Sequence, residues 1–219
     1  GRATRAWRAA SGFGMTKQGY HHGNLKQALV EVALKLIEER GPSGFTLSEA
    51  AKSAGVTPAA VYRHFEGRED LIAECARQGY GIFADLLEHA YAGGKPSALA
   101  AFGATGRAYL AFARRFPGHY MAMFEAGISP NRTPELAAAS SRAEAVLARA
   151  AELLSRHIPE SRRPPAAMFS AHVWALSHGV VELYARTPPG TRTPYSAEDL
   201  LESGIGIYLR GLELLPPDR

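Results

Sequence analysis

The chain has 219 residues, 46% hydrophobic and 21% charged, enough to bury a substantial core in one sizeable or two modest domains. Its single cysteine, Cys75, excludes an internal disulfide and a Cys-based zinc site and points to a reducing cytoplasm. No apolar run approaches the roughly 18–20 residues of a membrane span, and no continuous apolar leader opens the chain.

The net charge of +4 is unevenly spread. Residues 1–70 hold ten Lys and Arg against seven Asp and Glu, and the remainder holds fifteen against fourteen. Three of the ten lie ahead of Met15, but the sign of the asymmetry suits a partner with phosphates at the N-terminal end.

Residues 1–22 carry Arg2, Arg5, Arg8 and Lys17 with no acid. They read as a basic leader, either a disordered tail, partly sequence from upstream of the native start, or an arm that follows the minor groove. From Asn24 to Arg40, Leu25, Ala28, Leu29, Val32, Ala33, Leu36 and Ile37 recur at three and four. That predicts an amphipathic helix with Asn24 as its cap, stopped by Gly41-Pro42.

Thr46 and Glu49 have the spacing of a capping box that opens a short helix, which Gly55 breaks. In the next helix Thr57 is the expected cap and Pro58 suits the first helical position, where an N–H would be unpaired anyway. Val61 and Phe65, four apart, are expected to face inward, leaving Ala59, Ala60, Tyr62, Arg63 and His64 outside. Two short helices across a glycine turn, behind a longer one, have helix-turn-helix geometry over residues 23–70.

A longer helix follows to about Ala92, ended by Gly93-Gly94. Further helices are expected over residues 96–116, 118–125, 133–157, 165–186 and 196–215, each break marked by Pro or Gly, with a loop over residues 187–194. No segment alternates with period two, so the predicted fold is all-α: the N-terminal unit, then a helical regulatory and dimerisation domain over residues 71–219, about nine helices in all.

With these elements in place, the N-terminal region resembles the DNA-binding domain of the TetR family of bacterial transcriptional regulators. The match runs from about Leu25 to Leu71 through Thr46-Leu47-Ser48-Glu49-Ala50-Ala51, Gly55-Val56-Thr57, Val61-Tyr62-Arg63-His64-Phe65 and Arg68-Glu69-Asp70-Leu71. The family usually has lysine at the place of Arg68 and often leucine at that of Val61. The C-terminal region resembles the subgroup named for a Trp, a His and a Gly on one helix, here Trp174, His178 and Gly179.

The resemblance implies phosphate contacts from Thr46, Tyr62, His64 and Arg68, and base contacts from Thr57, Pro58, Ala59, Ala60 and Arg63, with Arg63 the candidate partner of guanine. It implies a homodimer joined by the last two long helices, a palindromic double-stranded DNA operator, and a small-molecule effector. The effector pocket would draw on Tyr109, Phe112, Phe116, His119, Tyr120, Met123, Phe124, Trp174 and His178, any of which is also ordinary helical core.

No cofactor and no metal centre are expected. The side chains nearest to a metal set are His119, His172, His178 and Glu182, and the simpler reading pairs His178 with Glu182, four residues on, by a hydrogen bond. The expected function is a ligand-responsive regulator of transcription, most simply a repressor. The alternatives are a constitutive DNA-binding protein and an enzyme working in the C-terminal pocket, the latter without a nucleophile-base set, a glycine-rich phosphate loop or HExxH spacing to support it.

Overall fold

A computed structural model describes residues 22–187, 191 and 193–216. Those residues form nine α-helices and no strand: α1 (His22–Arg40), α2 (Leu47–Ser53), α3 (Pro58–Tyr62), α4 (Arg68–Tyr91), α5 (Ala98–Arg115), α6 (Pro117–Phe124), α7 (Pro134–Ser155), α8 (Ala166–Val180) and α9 (Ala197–Gly211). The expected all-α architecture is observed. Of the leader over residues 1–22, all but His22 lies outside the described residues, as does much of the loop over 187–194.

Most helix starts follow the side-chain chemistry of the sequence. Thr46, Thr57, Ser97, Thr133 and Ser196 each accept a hydrogen bond from the backbone N–H three residues on, which satisfies one otherwise unpaired donor. Asn24 is different. The first helix begins at His22, so Asn24 lies within its first turn rather than capping it.

The long helix α4 is the axis of the molecule, in contact with α1, α5, α6 and α7. Its buried side, including Leu71, Cys75, Tyr80, Phe83 and Leu87, carries one hydrophobic cluster that extends from Leu29 on α1 to Leu201 on α9. A second, smaller cluster joins Phe102, Leu154, Ile158, Phe169 and Leu209 at the far end. The Cys75 thiol sits fully buried, 3.9 Å from the Val30 carbonyl, and burial pushes it far above the usual thiol range, so it packs as a small apolar group.

Helix α6 is wedged between the two ends of the protein. Gly118, in its first turn, lies so close to α1 that a Cβ there would stand 2.7 Å from the Leu34 carbonyl oxygen. Only glycine permits that approach. The opposite end of α6 reaches the interior of the C-terminal helices through Met123 and Phe124.

The candidate nucleic-acid interface and the helical cavity

The turn between α2 and α3 is built from backbone hydrogen bonds, Gly55 N–H to Lys52 O at 3.1 Å and Val56 N–H to Ala51 O at 3.0 Å. Gly55 adopts φ +71°, the left-handed conformation that glycine takes without strain. Thr57 then caps α3 by accepting from Ala60 N–H at 3.3 Å, with Pro58 at the first helical position.

Val61 is fully buried and Phe65 nearly so, and the backbone N–H groups of both His64 and Phe65 return to the Val61 carbonyl. This anchoring fixes the orientation of everything on the other side. Thr57, Pro58, Ala59, Tyr62 and Arg63 are exposed, Ala60 and His64 partly so, and Tyr62 keeps 58% of its surface open. Val61 and Phe65, buried on the inner side, hold the Tyr62 ring on the solvent side of the helix.

Thr46 is spent partly on its own helix: its oxygen accepts from Glu49 N–H at 3.1 Å. The Glu49 carboxylate forms an ion pair with Arg40, and that hydrogen bond, ahead of the Thr46 contacts, holds its pKa below the usual carboxylate value. Arg40 thereby compensates the negative charge of Glu49 at the start of α2. Arg68 also has a second employment, because one guanidinium nitrogen donates to the Ser43 and Phe45 carbonyls at 3.1 and 3.3 Å. It braces the loop before α2.

In the C-terminal part, helices α4 to α9 line a cavity of about 880 Å3. Of the nine side chains named for an effector pocket, Tyr109, Met123, Phe124, Trp174 and His178 line it. Phe112, Phe116, His119 and Tyr120 do not. Phe112 is fully buried against Phe83, Phe116 stacks on Phe112 at the junction of α5 and α6 beneath Arg115, and His119 meets Phe116 edge-on. Tyr120 is fully buried with its hydroxyl turned to Glu182. The physical reason is the bend at Phe116-Pro117, which turns the first half of α6 toward α1 and α4 and leaves only its last turn for the cavity.

Sequence reasoning misses the cavity's far wall, made by Phe102 on α5 and by Leu201, Ile205 and Leu209 on α9. The four-residue spacing of the α9 set marks an apolar face on a helix that the family resemblance assigns to subunit association. One face turns inward; Ile207, 66% exposed, lies on another.

The metal candidates are not brought together, and among the described residues no three His, Cys, Asp or Glu are placed to hold a metal ion. His172 meets the Tyr208 hydroxyl at 3.0 Å, His178 Nδ1 meets the Tyr109 hydroxyl at 2.5 Å, and the Tyr120 hydroxyl donates to Glu182 at 2.6 Å. The simpler expectation of a His178–Glu182 hydrogen bond is corrected too. After Val180 the backbone widens into a π-helical turn, Val181–Ala185, which alters the register of Glu182 relative to His178.

Burial is the chief influence on these groups. It pushes the Tyr109 and Tyr120 phenols far above their ordinary range and lowers the pKa of His178, with Glu182 opposing the latter. His119 is lowered by burial alone. Beyond Tyr120, Arg186 forms an ion pair with Glu125 and lies over the Tyr120 ring, closing the polar network at the base of the cavity.

A further contact joins the two regions. Arg132, in the segment between α6 and α7, bonds Glu69 at 3.0 Å and Asp70 at 2.9 Å in the first turn of α4. Asp70 in turn accepts from Glu66 N–H at 3.1 Å in the connection from α3, and Ile128 and Pro130, just before Arg132, line the cavity.

A capped recognition-type helix at one end and a large apolar cavity at the other define a helix-turn-helix regulator. Family comparison agrees on both parts: residues 29–75 match the model of bacterial regulatory proteins of the tetR family, and residues 102–208 match the tetracyclin repressor-like C-terminal domain. The chain belongs to the TetR family of transcriptional regulators and carries its DNA-binding domain.

Among curated relatives, the HTH-type transcriptional regulator AcrR of Shigella flexneri is 45% identical over 49 residues, 22% of this chain and 23% of that protein. The three curated relatives are matched over only 23–34% of their own lengths. Among solved structures, the TetR family transcriptional regulator PfmR from Thermus thermophilus superposes with a TM-score of 0.65 at 19% identity, covering 84% of this chain and 98% of that one. AibR, solved with isovaleryl coenzyme A and operator DNA, gives a TM-score of 0.61 at 19% identity, covering 84% of this chain and 97% of that one. At these identities the structural likeness establishes the fold. Among the described residues, no helix is long and apolar enough to cross a membrane.

Proposed function

We propose that the protein is a homodimeric, ligand-responsive repressor that binds a two-fold symmetric DNA operator, with residues 23–70 as the DNA-binding part and 71–219 as the regulatory and dimerisation part. The observation that carries this reading is the exposure of Tyr62 on a short capped helix whose inner side is locked by Val61 and Phe65. In it, Thr46, Tyr62, His64 and Arg68 hold phosphates and set the register, while Thr57, Pro58, Ala59, Ala60 and Arg63 meet base edges in the major groove. The small residues there permit close approach, and Arg63 is the side chain suited to the paired acceptors of guanine.

One such module binds weakly, and two-fold pairing multiplies its affinity. Met168 at 51% exposure on α8, Leu183 at 46% just after it and Ile207 at 66% on α9 supply outward apolar contacts for that pairing. AibR, whose structure contains both an operator and an acyl coenzyme A, offers a precedent for effector and DNA on one such fold. Placement in the Trp-His-Gly subgroup rests on Trp174, His178 and Gly179 and belongs to the same proposal.

Two connections would transmit the effector's presence. Helix α6 touches the cavity at Met123 and Phe124 and abuts α1 at Gly118. The segment holding Ile128 and Pro130 ends in the Arg132 bridge to the start of α4. An effector acts through them only if it binds the DNA-competent and DNA-incompetent arrangements with different affinity. The test is selection from a random-sequence duplex library with the purified protein at physiological salt: recovery of an inverted repeat supports the proposal, and recovery of no common sequence defeats it.

A further inference from the structure

The inner end of the cavity has a chemistry more specific than its volume. Tyr109 and Trp174 stack with ring centroids 5.2 Å apart and planes 25° apart, and Trp174 and His178 stack at 5.4 Å and 16°. Phe124 closes the corner, 5.9 Å from Trp174 and 5.3 Å from His178. Such a surface favours a flat aromatic or conjugated guest.

The cavity's charged side chains, Arg107, Glu144, Glu198 and Glu202, all stand at exposed positions. Glu198 is further occupied by an ion pair with Arg114. The aromatic end is therefore left for an uncharged group, while any charge on the same guest belongs at the rim.

The polar atoms at the inner end differ in what they have left to offer. Thr105 returns its hydroxyl proton to the Phe102 carbonyl at 2.7 Å. The Tyr120 proton goes to Glu182. The Tyr109 hydroxyl meets His178 Nδ1 at 2.5 Å, and when it donates there the imidazole proton is confined to Nε2, on a ring that lines the cavity.

We propose that the inner end of the cavity binds a flat, uncharged aromatic or conjugated carbonyl compound, with its oxygen accepting from His178 Nε2–H and its ring lying against Trp174. Tyr109 is then a positioning residue that fixes the tautomer from behind. Burial, which disfavours both imidazolium and phenolate at this place, agrees with a neutral pair. The inference rests on the reading of the cavity as the effector site, yet it concerns only what the cavity holds.

The test is calorimetric titration of the full chain with three probes of nearly equal shape: 2-acetylnaphthalene, 2-isopropenylnaphthalene and 1-(2-naphthyl)ethanol. The ketone is expected to bind roughly tenfold more tightly than the alkene, the scale of one neutral hydrogen bond in a shielded site. In His178→Phe that preference should fall to within about twofold while alkene binding is kept. Tyr109→Phe, which frees the tautomer, should reduce the preference at least about threefold, and it carries the test if His178→Phe loses its helical content.

Equal binding of ketone and alkene, survival of the preference in His178→Phe or Tyr109→Phe, or binding of none of the three probes overturns the proposal. Tighter binding of the alcohol than the ketone also overturns it, because the site then prefers a hydroxyl to a carbonyl acceptor. None of these outcomes alters the duplex selection described above, so failure of the ligand class and failure of the DNA reading are separately visible.

Discussion

The DNA-facing head and the cavity are made from similar helices, but they are specified over different distances along the chain. Every proposed DNA contact falls between Thr46 and Arg68, whereas the cavity wall runs from Tyr80 to Leu215. The head is a local structure, fixed by caps, a glycine turn and two inward side chains. The cavity exists only once six helices have been assembled, so its lining depends on crossing geometry that local periodicity does not encode.

Substitutions should separate these two modes. The largest expected effect is on the anchor of the head: Phe65→Ala removes a ring 4% exposed and should cost about 3–5 kcal/mol of stability in chemical denaturation, with DNA binding lost as well. Arg63→Ala should leave the denaturation curve unchanged and weaken operator binding by about 1–3 kcal/mol in an anisotropy titration, with relaxed choice at one base position. If both variants lost stability equally, the division of α3 into an anchored side and a reading side would be wrong.

Between the two regions, Gly118→Ala should lower stability by about 1–3 kcal/mol, because the added methyl sits 2.7 Å from the Leu34 carbonyl oxygen and α6 must shift away from α1. The same variant should weaken the response of DNA affinity to a cavity ligand. Arg132→Ala, which breaks an exposed bridge, should leave thermal stability nearly unchanged and alter only that response. An unaltered response in both variants would remove these two contacts as the route between cavity and head.

The smallest effect concerns pH. His119 and His178 have pKa values lowered in the folded protein, chiefly by burial, so the unfolded chain binds more protons than the folded one as the solution is acidified. Their contribution to stability is fully present above the unfolded value near 6.5 and declines as pH falls through it. Thermal midpoints recorded between about pH 7.5 and 5.5 should therefore decrease, and His119→Gln should flatten the slope. A midpoint that rose on acidification would contradict the buried, neutral setting of these imidazoles.

The same contrast explains how much is legible in the sequence. Thr46 to Glu49, Gly55, Thr57-Pro58 and the pair Val61 and Phe65 all stand where short-range rules put them, because the spacings that mark them span four residues or fewer. In the cavity, Tyr109, Trp174 and His178 are legible as aromatic residues on helical faces, but Phe112, Phe116, His119 and Tyr120 have the same appearance and turn elsewhere. Along α6 the bend at Phe116-Pro117 separates His119 and Tyr120 from Met123 and Phe124, while on α5 Phe112 packs on Phe83.

Glu182 departs from expectation for a related reason. Four residues from His178 predicts contact in an α-helix, but the π-helical turn at Val181–Ala185 sends the carboxylate to Tyr120. Arg132 carries no local signal at all, since its partners lie 62 and 63 positions earlier.

The central claim is that α3 reads DNA as one half of a two-fold pair, and DNase footprinting of the region upstream of the protein's own gene tests it most directly. At physiological salt the purified chain should protect an inverted repeat, and Tyr62→Ala and Arg63→Ala, both correctly folded by circular dichroism, should lose that protection. Absence of any protected palindrome, or protection unchanged in both variants, would contradict the account.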